Sequence, residues 1–398
     1  MTIRNLASLL FVAAMTLIPA SALLAAQPPN PAIVQQVINA LSKAESDPQG
    51  GLDDLARLLG RVRADRDKAF VMTERGALLI QQDQMPLARA EMAEVLEGQD
   101  PDFAPRLRNL YATTLLTAEE FEAALEQLQW WDAHTENPHP HGLFLIGYAC
   151  IRLERFEDAV HALERAVQSD YPTRDPWVEL LAYAYTQMDR PEEAVTLLEG
   201  LLAEHPDRQR WWKQLAGILM LLDDLPEGTA SMAVAQAVEP LSDADLRRLA
   251  RLFAHLGMPA DGAALLTAAM EARTEPQDYE ALMLLGELWM LARETDRAIE
   301  IYTSAQQLAD QGEAALIIGQ LHAQREEYEL ARTALEVSVA AYGEGAPARA
   351  YYLLAVVQIN LGELAEAADT IERLQADEEY RDRAASLTTY IRGVRSQS

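Results

Sequence analysis

The chain has 398 residues with 33 basic and 62 acidic side chains, a net charge of −29, and that balance excludes nucleic acid and anionic headgroups as partners held by bulk electrostatics. Its composition is 49% hydrophobic and rich in Ala, Leu, Glu and Arg, which suits close-packed helices and leaves too few β-branched residues for a large sheet. Length alone allows two or three globular domains, but a repeat array grows by adding units and needs no second core.

Residues 1–26 carry Arg4, an apolar run from Leu6 to Ile18 broken only by Ser8 and Thr16, then Pro19 and Ala20-Ser21-Ala22. That is the pattern of a secretory signal peptide, with cleavage after Ala22 or, at a less regular site, after Ala26. The alternative is an uncleaved inner-membrane anchor facing the periplasm, because Leu6–Ala26 approaches the ~20 residues of a spanning helix, although Pro19 interrupts it. The expectation is a periplasmic protein without direct membrane insertion after cleavage. Removing the signal takes away Arg4 alone, so 32 basic residues then face 62 acidic ones, a net charge of −30.

Residues 27–64 read as a Pro-rich spacer and a capping helical hairpin. Ile33–Ala44 and Leu52–Val62 have helical spacing, and Asp47-Pro48-Gln49-Gly50-Gly51 between them reads as a turn.

From 65 to 376 the sequence repeats. Glu119-Glu120-Phe121-Glu122-Ala123-Ala124-Leu125, Glu154-Arg155-Phe156-Glu157-Asp158-Ala159-Val160 and Glu326-Glu327-Tyr328-Glu329-Leu330-Ala331-Arg332 are one motif, an aromatic closing a turn and a small residue three places later. That small residue recurs as Ala88, Ala124, Ala159, Ala194, Gly228, Gly262, Ala298, Ala331 and Ala367, nine units spaced by 33 to 36 residues. A second small position, twelve residues upstream, reads Gly76, Ala112, Gly147, Ala182 (or Leu181), Ala216, Ala250, Gly286, Gly319 and Ala355. Two antiparallel helices approach closely only where facing side chains are minimal, so the two positions mark a helix crossing. Pro206 and Pro240 end two of the units. Residues 377–398 hold a polar-faced helix, Glu379–Val394, that would cap the last unit.

A large apolar residue, then Leu-Gly/Ala, an aromatic, an Ala after a turn, then Pro, resembles the tetratricopeptide repeat, and Trp212-Lys213-Gln214-Leu215-Ala216 through Pro240 is its clearest instance. The resemblance implies an all-α fold, a right-handed superhelix (α-solenoid) of about nine helix-turn-helix repeats with capping helices. Within that family, the stretch from Pro191 through Trp211-Trp212-Lys213-Gln214-Leu215, Leu241-Ser242-Asp243-Ala244-Asp245-Leu246 and Leu284 to Glu294 resembles exported proteins that accompany the TonB–ExbB–ExbD energy-transduction system of Gram-negative bacteria. It implies TonB-system components as partners. A scaffold for polysaccharide export or outer-membrane assembly is the alternative, and a subunit binding cell-wall material is another.

The sequence argues for no enzyme and no cofactor. It has no Gly-rich phosphate loop at a strand–helix junction, no nucleophile elbow and no paired His on a helix. His134, His139 and His141 cluster around Asn137-Pro138-His139-Pro140-His141, but the prolines place the last two along an extended loop and no carboxylate or Cys lies at ligand spacing. Cys150, the single cysteine, sits in an apolar helix and reads as a small buried hydrophobe. Trp130-Trp131 and Trp211-Trp212 read as one core ring and one half-exposed ring each.

What remains is a groove lined by first helices, suited to an extended peptide or a helix of another protein. With the small residues fixed as the crossing, Arg210, Lys213, Gly217, Met220, Arg247, Arg251 and His255 look into it in the fifth and sixth units. The expected partner site is therefore Arg210, Lys213, Arg247, Arg251 and His255, with Tyr148 and Tyr185 as apolar contacts nearby. Either these cations pair with acids such as Asp243 and Asp245, or they seat an acidic segment or C-terminal carboxylate of the partner.

Overall fold

The computed structural model describes residues 29–97, 104–168, 175–272, 277–309, 311–374 and 377–395. Residues 1–28, with the signal-peptide reading, lie outside them. The described residues form 21 α-helices. They fall into two compact units, one ending at Pro206 and one beginning at Asp207.

The first unit holds α1 (Pro31–Ala44), α2 (Pro48–Arg61), α3 (Asp65–Gln81), α4 (Met85–Glu97), α5 (Pro105–Thr117), α6 (Phe121–Ala133), α7 (Pro140–Arg152), α8 (Phe156–Val167), α9 (Asp175–Gln187) and α10 (Pro191–Glu204). The second holds α11 (Gln209–Leu221), α12 (Leu225–Val238), α13 (Asp243–His255), α14 (Pro259–Glu271), α15 (Tyr279–Leu291), α16 (Thr295–Leu308), α17 (Glu313–Gln324), α18 (Tyr328–Tyr342), α19 (Ala348–Asn360), α20 (Leu364–Leu374) and α21 (Arg381–Arg395). Each odd-numbered helix up to α19 packs most extensively on the helix that follows it, except α9, which packs more on α8, and α21 lies against α19 and α20.

Helix starts are written into the chain. Pro opens α1, α2, α5, α7, α10 and α14, where its missing N–H costs nothing. Asn30, Asp47, Asp224, Ser242 and Asp278 cap theirs by accepting a hydrogen bond from a first-turn N–H. Asp47 does so from Gly50, so Pro48-Gln49-Gly50-Gly51 is the first turn of α2 and the sequence reading of it as a turn is corrected. Gly51 is there for approach: a Cβ would stand 2.5 Å from that of Ala44 on α1.

The crossings are built as the repeat requires. Both small positions are buried in all nine pairs. A Cβ on Gly147 would lie 2.4 Å from the Leu163 side chain; on Gly286, 2.7 Å from the Tyr302 ring; and on Gly319, 2.6 Å from Leu335. Each blocking side chain sits sixteen residues after its glycine, so one register serves all three pairs. Of the tryptophan pairs, Trp131 and Trp211 are buried and Trp130 and Trp212 half-buried. Cys150 is buried in α7, and burial pushes its thiol up to about 11. Among the described residues no helix is long and apolar enough to cross a membrane.

Candidate partner-binding face

The seven site residues divide between the two units. Tyr148 (α7) and Tyr185 (α9) belong to the first unit, and Arg210, Lys213, Arg247, Arg251 and His255 to the second.

In the first unit, α7 is buried without interruption from Gly142 to Ile151. Aromatic rings close its neighbourhood: Phe144 stacks on Trp177 at 5.7 Å, and Tyr148 meets Phe144 at 6.5 Å and Phe121 at 6.3 Å. The Arg152 guanidinium lies 4.2 Å from the Phe121 centroid and donates to the Tyr148 hydroxyl at 3.0 Å. Tyr148 is 5% and Tyr185 6% exposed. Tyr185 donates its hydroxyl to Glu164 at 2.5 Å, and burial together with that bond raises its pKa. Neither tyrosine presents a surface to a partner, and the expected apolar contacts are corrected to core residues. Periodicity placed the two rings on first helices but could not reveal the neighbours that cover them.

In the second unit the first helices are open. Arg210, Arg251 and His255 are exposed, and Lys213 and Arg247 half-buried. Lys213 pairs with Asp245 at 2.5 Å, and Arg247 with Asp278 at 2.8 Å and Glu280 at 3.5 Å. Burial opposes the charge on Asp245, but hydrogen bonds from Lys213 and Ser242 outweigh it and leave its pKa below the usual carboxylate value. At Asp278, burial is likewise outweighed by Arg247 and the Ala281 N–H. The stripe is thus a ladder of ion pairs joining α11 to α13 and α13 to α15. Of the two readings left open by the sequence, pairing with nearby acids is the one found for Lys213 and Arg247, and the acids come from the next first helix, about one repeat downstream. Arg251 has no acidic partner within ion-pair distance among the described residues.

The ends of α11 and α15 carry exposed apolar side chains. Leu221 at the end of α11 is 68% exposed and Leu291 at the end of α15 is 55% exposed, both five residues after their small position. Met290 is exposed next to Leu291, and Met220, half-buried, takes a contact from the Arg248 guanidinium at 3.4 Å. The sequence reading missed Leu221 and Leu291; their common register was the signal that could have found them.

The histidine cluster differs from the expected loop. His139 is the N-cap of α7 and His141 lies in its first turn, against Phe144 and Trp177. His134 stacks on Trp130 at 3.9 Å. No group of three or more His, Cys, Asp or Glu side chains among the described residues is placed to hold a metal ion. An open cleft of about 470 Å³ in the first unit is lined by Ala56, Leu59, Lys68, Arg75 and Glu91 among others, but Arg75 is already held by Glu91 and the Leu52 carbonyl.

Stacked antiparallel helix pairs that recur every 33 to 36 residues define a helical-repeat protein. Tetratricopeptide-repeat models match residues 151–218, 247–313 and 316–381, together just over half of the chain, which belongs to the tetratricopeptide-repeat family. No curated protein matches it in sequence. Similar solved structures include MamA from Desulfovibrio magneticus RS-1 (20% identity, 44% of this chain and 97% of that one, TM-score 0.36). The protein in the APC/C hetero-tetramer Cut9–Hcn1 covers 90% of this chain and 96% of its own at 11% identity, TM-score 0.41. YrrB, described as having an unusual peptide-binding site, covers 45% of this chain and 91% of its own at 14% identity, TM-score 0.39.

Proposed function

We propose that this chain is a non-catalytic, exported scaffold that holds other proteins through the open first-helix face of its second unit. The observation that carries the reading is the contrast between the units: aromatic packing fills the corresponding face around α7, whereas α11, α13 and α15 keep Arg251, His255, Leu221 and Leu291 exposed. Large exposed apolar residues on the same run of first helices as an exposed cation support a surface that takes a partner. The 1–26 leader supports export to the periplasm, with 27–64 capping the array over 65–376 and 377–398 closing its far end. Likeness to exported proteins of the TonB–ExbB–ExbD system supports that machinery as the client.

Affinity capture of the full chain from a Gram-negative envelope extract, followed by mass spectrometry, tests this. TonB-system components should co-purify, and the captured chain should begin at Leu23 or Gln27. Recovery of the chain alone, or a retained Met1 in the membrane fraction, would count against the scaffold or the export reading respectively.

A further inference from the structure

The position two residues before the first small residue of a pair looks back along the array. In α5 it is Leu110, whose Cδ2 lies 3.3 Å from where a Cβ on Gly76 of α3 would stand, so it packs on the first helix of the preceding pair. In five further pairs it is Leu145, Leu180, Leu284, Ile317 or Leu353, each buried or half-buried. The register extends to α1. The Ala40 carbonyl lies 2.9 Å from where a Cβ on Gly51 would stand, as the Ala250 carbonyl lies 2.5 Å from one on Gly262, so Ala40 is the crossing residue of the first pair. Two residues before it stands Ile38, which is 49% exposed, more than any other large apolar residue described in the first unit. No described pair precedes α1 to cover it. Val34 and Leu41, half-buried, extend Ile38 into a stripe at steps of four and three residues. Exposed Gln35, Asn39 and Ser42 run alongside, and residues 31–42 carry no charge in a chain of net charge −29. A terminal pair that closed the array to solvent would present a polar outer face instead.

We infer that the α1 stripe is the contact by which two copies of this chain pair, α1 against α1 about a two-fold axis. Antiparallel packing sets Ile38 on Ile38 of the second copy and Val34 on its Leu41, with Gln35, Asn39 and Ser42 flanking the seam. Charge selects both the occupant and the direction. Two chains of net charge −29 repel wherever their acidic surfaces face, and α1 is a place where they meet without doing so. The carboxylate at its end, Glu45, falls opposite residue 31 of the antiparallel mate, beside the positive N-terminus of that helix. A parallel pair would set the two Glu45 side chains together. The far end of the array is no match, because α21 exposes Arg381 and Arg392 where the stripe has no acid to receive them. With 14 residues α1 is about 21 Å long, so the contact is smaller than the ~1,200–2,000 Å² of a stable interface and the pair is a weak one.

The test uses the chain as recovered from the envelope extract, read by analytical ultracentrifugation over a range of concentrations. A monomer–dimer equilibrium with a dissociation constant of about 10–100 μM is expected. Added salt should tighten it several-fold, because it screens the repulsion between the two chains and breaks no ion pair in the seam. Ile38→Glu should weaken the dimer at least about tenfold and melt near the parent, since the position is half open to solvent. Ile38→Cys should form a disulfide-linked band of twice the chain mass under mild oxidation, the native Cys150 being buried, whereas Glu199→Cys, exposed on α10, should not. A monomer at every concentration, a dimer that Ile38→Glu leaves unchanged, or one that salt loosens overturns the inference. So does an Ile38→Cys chain that cross-links only to a different protein, which would make α1 the seat of another partner.

Discussion

At Gly147 the cost of a side chain is set by one neighbour. The Cβ of any substitute would be driven into Leu163, whose own burial leaves it nowhere to go. Gly147→Leu should lower stability by about 1–3 kcal/mol or more, measured by urea denaturation, and Leu163→Ala should recover part of the loss in the double variant. A parental midpoint would mean that α7 and α8 do not cross at this residue. The turns offer the opposite opportunity. Asp83, Glu119, Glu154, Asp189, Asp223, Arg293 and Glu326 all have φ between 57° and 62°, and Gly257 and Gly362 have φ of 77° and 81°; all nine stand five residues before the small residue of the following helix, Ala88 to Ala367. The next residue's N–H returns to the carbonyl five back, as Arg155 does to Cys150 at 2.8 Å. A left-handed non-Gly residue costs roughly 1–2 kcal/mol, and Gly relieves it while adding freedom to the unfolded chain. Arg293→Gly, at an exposed position, should therefore raise stability by about 0.5–1 kcal/mol; a fall on thermal denaturation would show that Arg293 holds the turn by its side chain.

Among the elements, α7 carries a titratable start. The His139 ring nitrogen accepts a hydrogen bond from the His141 N–H at 3.3 Å, a role a protonated ring facing a positive helix end cannot fill. Burial lowers the pKa of His139, and burial and then the neighbouring His139 charge lower that of His141 to about 4. Groups with a folded pKa below the unfolded one bind protons more readily when unfolded. Their stabilisation is complete above about pH 6.5 and is lost as pH falls from there toward about 4, by at most about 3 kcal/mol for His141. Melting curves of the parent should drop across that window and those of His141→Phe should drop less; parallel curves would place the acid sensitivity elsewhere.

That same helix shows how far the sequence reaches. The small residue at every crossing is dictated by sterics within one pair, so the period alone reveals it, from Gly76 to Ala355. The turn conformation was hidden because Asp, Glu and Arg occupy seven of the nine left-handed turn positions within the helix pairs, where glycine would have announced it. His139 and His141 lie in helix geometry that Pro140 initiates, although Pro-flanked histidines read as loop. Whether Tyr148 faces a partner or a core, and whether Lys213 is free, depends on residues one or more repeats away, Phe121 and Trp177 in one case and Asp245 in the other. A single-repeat pattern carries no information at that range. The partner face was therefore legible as a set of positions, while its charge and its apolar ends were not.

Across the whole molecule, the consequence of repetition is that damage stays local. In a repeat array each unit touches only its neighbours, so stability is a sum of unit terms and interface terms. Here the described helices fall into two compact units, with Gly147 in the first and Gly319, facing Leu335 at 2.6 Å, in the second. Gly147→Leu and Gly319→Leu insert the same side chain into the same register of two different pairs. Hydrogen exchange read by mass spectrometry should then show faster exchange centred on α7 and α8 in the first variant, with α17 and α18 near the parent's protection, and the reverse in the second. Peptides two or more pairs away from the substitution should change least. The partner face on α11, α13 and α15 lies between these two sites in the chain, so capture of partner proteins by the Gly147→Leu variant should persist while α7 is loosened. Uniform loss of protection along the chain in both variants would show that the repeats unfold as one cooperative block, and the nearest-neighbour account of this solenoid would have to be given up.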